Sequence, residues 1–230
     1  MNTTTLILLG LIPIGYLVGS IPVGLLVGLA RGVDPRKAGS GNIGATNVGR
    51  LLGGRYFALV FTLDALKGML PTLWAGAAMQ FQPSDAVHYL MWMAVGVGAI
   101  LGHMFSLFLN FRGGKGVATS AGVLLGIWPY LTISLLLAMV VWGLTFYITR
   151  YISAASILGT ISMPLMYLAL AIWRGWPIFG AQLPLLVLSA AMATLIVFKH
   201  RGNIARIRAG TEHRAGRPKD EPSKASPSAQ

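Results

Sequence analysis

Long apolar runs separated by short polar connectors organise this 230-residue chain. A membrane helix needs about 20 mostly apolar residues. Leu6–Ala30, Tyr56–Met79, Ala86–Leu109 and Ile152–Trp173 meet that requirement. Val117–Trp128 is shorter, and Pro129 separates it from Leu131–Ile148. These read as two spans, the first short or tilted, with one re-entrant segment as the alternative. Pro184–Phe198 is the last run and is barely long enough. The pattern predicts an all-α fold, a polytopic membrane helical bundle of seven transmembrane helices. In the first run Gly15 and Gly19, and Gly24 and Gly28, recur at four-residue spacing, which favours close helix packing. Pro22 is expected to kink that run. Asp64 and Lys67 interrupt the second run at i and i+3 and so share one face. Charges inside a span face a partner or an aqueous cavity. This pair is expected to support the neighbouring polar loop rather than to do chemistry itself.

Composition agrees with the pattern. Only 10% of residues are charged and 55% are hydrophobic, whereas a soluble domain carries about 25% charged residues. The length allows one bundle, read as a single domain over 1–214. From Ala215 to Gln230 the chain turns to Pro, Ser and charge, and a disordered basic tail is expected. The net charge is +12, and eight of the 18 Lys and Arg lie in Lys199–Gln230. Basic clusters beside membrane spans read as topology signals and anionic-lipid contacts, not as a nucleic-acid site. Apart from Lys67 inside the second run, the remaining basic residues divide by connector. Arg31, Arg36, Lys37, Arg50 and Arg55 follow the first run, Arg112 and Lys115 the third, and Arg150 the fifth. The connectors after the second and fourth runs have none, and the one after the sixth has only Arg174. The N-terminus is therefore expected outside, with the C-terminus and every polar segment on the cytoplasmic side. The absence of Cys excludes disulfides, thiolate catalysis and Cys-ligated metal. The opening MNTTTLILLG lacks a basic n-region, so a retained first helix is expected rather than a cleaved signal.

Four polar segments carry the chemistry. Gly39–Arg50, GSGNIGATNVGR, sets Gly39, Gly41 and Gly44 among Ser40, Asn42, Thr46 and Asn47, and ends on Arg50. Backbone amides, hydroxyls and one guanidinium suit a phosphate group; a flexible loop is the plain alternative. Arg112–Gly116, RGGKG, places two cations among Gly113, Gly114 and Gly116, again the make-up of an anion cradle, without the glycine spacing of a Walker loop. RYISAAS carries Arg150 and Ser153, and HRGNIARIRAGTEHR carries His200, Asn203, Arg206 and Glu212. Carboxylates are scarce and no His/Asp cluster has ligand spacing, so metal hydrolysis is not expected. What remains is a pocket for small phosphorylated anions at the membrane surface. A transporter or binding protein for an organic phosphate would use the same loops, but it would more often place polar groups near the midplane.

The stretches GSGNIGATN, GHMFSLFLNFRGGKGVATS and KHRGNIARIRAGTEHR resemble the three signature segments of the bacterial acyl-phosphate-dependent glycerol-3-phosphate acyltransferases, in the family's order and spacing. The resemblance runs from the first span to about Arg214. It implies acyl transfer from an acyl phosphate to the 1-hydroxyl of glycerol 3-phosphate, giving lysophosphatidic acid and phosphate, at the cytoplasmic face of the bacterial inner membrane. It also implies a multi-pass protein with no cofactor and no metal; the partners are the two substrates and membrane lipids. The HxxxxD pair of the common glycerolipid acyltransferases is absent, since Phe108 and Ala205 stand five residues after His103 and His200. By motif position Ser40, Arg50, Lys115, His200 and Asn203 are the expected catalytic residues. Gly41, Asn42, Thr46, Asn47, Gly113, Gly114, Gly116, Ser153 and Arg206 are expected to bind substrate and phosphate. His200 is one candidate general base and the acyl phosphate's own phosphate is the other acceptor. Direct transfer is favoured over an acyl-enzyme, because no Cys exists and no Ser has an evident paired base. Arg208 stands where a leucine is common in the family, and the tail is long. The oligomeric state is not legible.

Overall fold

Proline, glycine and capping residues cut the apolar runs into ten α-helices among residues 2–215, the part of the chain that the computed structural model describes. Asn2 starts α1 (Thr3–Ser20), its side chain accepting from the Thr5 amide at 2.8 Å. Pro22 has no N–H to continue a helix, and the first run breaks there outright, so that α2 (Val23–Leu29) follows as a separate piece. A polar loop leads to α3 (Ala45–Leu52), and Gly53, at φ 102°, turns the chain into α4 (Gly54–Ala78). Asp85 caps α5 (Ala86–Met104). A 3-10 turn at Leu107–Leu109 and the second glycine loop lead to the ten-residue α6 (Val117–Gly126). Then come α7 (Thr132–Thr149), α8 (Ile152–Arg174), α9 (Leu183–Lys199) and α10 (Arg201–Arg208).

Five of these stretches, counting α1 with α2, are long and apolar enough to cross a membrane; the number is six if α9 and α10, bent by 52°, form one span. α6 falls short, at about 15 Å against a hydrocarbon core of about 30 Å. The disorder expected for 215–230 lies, Ala215 apart, outside the described residues.

Small residues close the helix pairs, as the four-residue spacing predicts. A Cβ on Gly15 or Gly19 of α1 would run into the Val95 or Ala99 carbonyl of α5, and one on Gly98 or Gly102 of α5 would meet the Ile12 or Tyr16 carbonyl of α1. Gly68 and Gly122 form a similar seam between α4 and α6, against Thr119 and Ala65. Gly24 and Gly28 do something else: they admit the polar loop, against Ile43 and Pro35. α5 lies at the centre, with Trp92, Val95, Ala99 and Met104 fully buried. At its N-terminal end Tyr89, Trp92, Tyr130 and Trp176 pack edge to face, and Tyr167 Oη donates to Gln182 Oε1 at 2.9 Å. The other end carries the polar segments.

Candidate active site

In the first polar segment one buried amide organises the loop. Asn47 Nδ2 donates to the carbonyls of Pro35, Ala38 and Asn42 at 2.9, 3.1 and 2.8 Å, and its Oδ1 accepts the Ser40 N–H at 2.8 Å. Asn42 Oδ1 accepts the Gly44 N–H at 2.8 Å. Asn47 thus borders the site with its amide engaged in holding the loop, where the sequence led to a phosphate ligand. Gly39 explains itself in the same terms: its φ is +63°, and a Cβ would strike Asn47 Oδ1. The result is that the start of α3, with Ala45 and Thr46, and then Arg50 line a polar cavity. The first amides of a helix lack intrahelical acceptors and favour an anion. Arg50 Nε is buried with no hydrogen-bond partner among the described residues.

The second loop differs from the expected cradle. The amides of Gly113 and Gly114 donate back to the carbonyls of Met104 and His103, at 3.1 and 2.9 Å. Neither residue lines the cavity, and neither does Gly41, whereas Lys115 and Gly116 do. Glycine is needed at 113 and 114 for packing: a Cβ would overlap the His103 carbonyl or the His103 ring. Lys115 Nζ reaches across to Asn203 Oδ1.

The third and fourth segments are tied together by an acid absent from the expected site residues. Glu212 Oε1 accepts from Ser153 Oγ at 2.9 Å and from Asn203 Nδ2 at 2.7 Å, while Oε2 accepts from Arg206 Nε at 2.7 Å. A lone acid in a strongly basic stretch was the available signal. His200 stands at the bend between α9 and α10, and its Nδ1 lies 2.8 Å from the Ile196 carbonyl. A carbonyl only accepts, so Nδ1 carries the hydrogen and Nε2 keeps a lone pair. Burial, with Lys115 nearby, lowers the His200 pKa to about 4, so the ring is neutral at pH 7.

Ser40, Asn42, Thr46, Asn47, Arg50, Lys115, Gly116, Ser153, His200, Asn203, Arg206 and Glu212 all border this one cavity, of about 110 Å³. Among the described residues, Glu212 is the carboxylate whose field reaches both Arg50 and Lys115, and it is ion-paired to Arg206. Burial raises the Glu212 carboxyl, but bonds from Asn203, Ser153 and Arg206 outweigh it and hold the group below the usual range. Burial lowers Lys115 to about 8. Its charge is therefore present below that value and lost as the pH rises through it. Accordingly kcat/KM, which reports the free protein, is expected to fall above about pH 8 in a pH–rate profile, and a Lys115→Arg protein should keep its plateau to higher pH.

A second, apolar cavity of about 280 Å³ adjoins the first and was not foreseen. Phe57, Phe61, Val117, Trp142 and Ser156 border both. It continues between Met93, Val97, Met163, Met192 and Ala193, side chains drawn from distant helices.

A family model described as glycerol-3-phosphate acyltransferase matches residues 9–210. A protein of that name from Geotalea daltonii is 42% identical over 207 residues, which span 90% of this chain and 92% of the relative. The Aquifex aeolicus protein of the same name is 41% identical over 184 residues, 80% of this chain and 86% of its own. The crystal structure of PlsY (YgiH), an integral membrane glycerol 3-phosphate acyltransferase, in its glycerol 3-phosphate form, superposes with a TM-score of 0.78 at 40% identity, over 91% of this chain and 96% of the other. Its lysophosphatidic acid form gives 0.75 at 39% identity, over 90% and 94%.

Proposed function

The chain belongs to the glycerol-3-phosphate acyltransferase family, and we propose that it moves a fatty acyl group from an acyl phosphate to the 1-hydroxyl of glycerol 3-phosphate. The observation that carries this reading is the shared wall between a cationic cavity and an apolar one. A transporter needs a polar path across the membrane. An acyl transferase working on an acyl phosphate needs a phosphate site that opens directly onto room for an alkyl chain.

In this reading the acyl chain lies in the apolar cavity and passes Trp142 and Phe61. Its carbonyl and phosphate then sit by Arg50, Lys115 and the start of α3, which stabilise the charge growing on the carbonyl oxygen and the departing phosphate. Arg206, Ser40 and Thr46 supply further phosphate contacts. His200 Nε2 accepts from the glycerol 1-hydroxyl and orients it, with Asn203 alongside. The hydroxyl oxygen bonds to the acyl carbon, and the bond from that carbon to the phosphate oxygen breaks. Phosphate leaves with the electron pair and takes the hydroxyl proton. A histidine whose pKa lies near 4 in the empty site is a weak base, which supports phosphate as the final acceptor. Direct transfer needs no acyl-enzyme, metal or cofactor. With α6 counted as a short crossing and α9 as the last, the basic connectors support seven spans, the N-terminus outside and the site at the cytoplasmic face of the bacterial inner membrane.

The test is reconstitution. Protein in lipid vesicles, given a long-chain acyl phosphate and glycerol 3-phosphate, is expected to release phosphate and form lysophosphatidate in equal amounts, with acyl-CoA inert as donor. Uptake of glycerol 3-phosphate into the vesicles without product would reject acyl transfer in favour of transport.

A further inference from the structure

Three ionisable side chains lie buried beside the cavity without a part in the transfer itself. Asp64 of α4 is 2% exposed; its Oδ1 lies 2.8 Å from Lys67 Nζ and 3.6 Å from His103 Nδ1. Lys67 Nζ also donates to the Ile21 carbonyl at 2.9 Å, where Pro22 breaks the first run. One ammonium neutralises one carboxylate, so charge balance does not require the imidazole beside the same oxygen. Nor is the ring satisfied for its own sake: His103 is 4% exposed, and Nδ1 makes no hydrogen bond among the described residues. A buried polar atom left this way is destabilising, and such a cost calls for a compensating role.

The other edge of the ring supplies one. Nε2 packs against Gly114 so closely that a Cβ there would overlap it. The backbone of the same residue holds the loop as well, the His103 carbonyl accepting the Gly114 N–H at 2.9 Å. The glycine loop is thus gripped from both sides at Gly114, and the next residue is Lys115. Asp64 and His103 also border the cavity that Lys115 enters. At 3.6 Å the carboxylate steers the imidazole through its field rather than by a hydrogen bond.

We infer that His103, steered by Asp64, is a positioning residue for Lys115 and acts through Gly114. The inference rests on the acyl-transfer reading, in which Lys115 meets phosphate. It assigns the buried charge pair of α4 a place behind the second loop, with Lys67 serving both as counter-charge and as a tie to the break in the first run.

A double-mutant cycle on the full-length protein in lipid tests it. His103→Gln is expected to lower kcat on the order of 10–100-fold, the size of loss that misplacing a catalytic group brings, with a much smaller change in the KM for glycerol 3-phosphate. In a Lys115→Ala background the same substitution is expected to cost at most about threefold, because nothing remains to be positioned. An equal loss in both backgrounds overturns the inference. If Lys115→Ala alone leaves turnover unchanged, the role of Lys115 in transfer falls first, and the inference falls with it. Binding of inorganic phosphate, read through the same cycle, gives the coupling where turnover is too slow to follow. Asp64→Asn keeps the side-chain shape and runs the cycle again should His103→Gln fail to fold; absence of coupling to Lys115 there also overturns the inference.

Discussion

Arg50→Ala is expected to lower kcat/KM by on the order of 10²–10³, the loss seen when one charge-stabilising donor is removed from a transition state. The size follows from its surroundings. Arg50 is half-buried on α3 above the cavity, and its Nε has no partner among the described residues. Burial lowers its pKa, a cost that a bound anion repays. Because the guanidinium is not spent on an ion pair among the described residues, its loss should fall on turnover far more than on the melting temperature. Arg50→Lys is expected to recover only part of the rate, since an ammonium cannot reproduce the planar fork. Steady-state phosphate release from acyl phosphate, set beside thermal unfolding of the same samples, checks both statements. Full activity in the alanine protein removes Arg50 from the phosphate site.

Glu212→Ala is expected to cost both rate and stability. The carboxylate is 8% exposed and accepts from Ser153, Asn203 and Arg206. Hydrogen bonds to a charged group contribute about 1.5–3 kcal/mol each. The Arg206 side chain is 43% exposed, so its share is discounted for solvent screening, and a destabilisation on the order of 3 kcal/mol, the low end for the bonds from Ser153 and Asn203, is expected. Turnover should fall about 100-fold, because Asn203 and, through it, Lys115 lose their alignment. Glu212→Gln keeps an acceptor at Oε1 and is expected to lie between the two. The folded carboxyl is held below its ordinary range. Its contribution is therefore present at neutral pH and is lost only as the pH falls through the lowered value, a loss that acid unfolding curves of wild type and Glu212→Ala should show by converging. A Glu212→Ala protein with wild-type kinetics would mean that the segment after α10 does not organise the cavity.

Much of this arrangement is legible in the chain, and the reasons for the rest are physical. Apolar run length predicts helices, and Lys and Arg placement predicts that the polar segments gather at one end, as the cavity from Ser40 to Glu212 does. Four-residue glycine spacing correctly marks the α1–α5 seam. Composition could not show which direction an amide points. Asn47, Gly113 and Gly114 belong to phosphate-like segments, yet their polar groups turn back on the backbone. Glu212 is readable only as an oddity of charge until the bend after Lys199 brings it beneath Ser153, 59 residues earlier in the chain. The apolar cavity has no local signature, because Phe57, Met93, Trp142 and Ala193 differ in no way, as residues, from others that face lipid.

On the proposed reading, the wall shared through Phe57, Phe61, Val117, Trp142 and Ser156 makes this catalyst a meeting point of two diffusion problems. One reactant arrives through a volume of water and is counted per litre. The other travels within a sheet and is counted per lipid. The new amphiphile is born already straddling that border, its chain among chains and its headgroup beside the aqueous phase. It can drift away sideways into the leaflet, and the membrane grows from within without an oily molecule ever having to cross water.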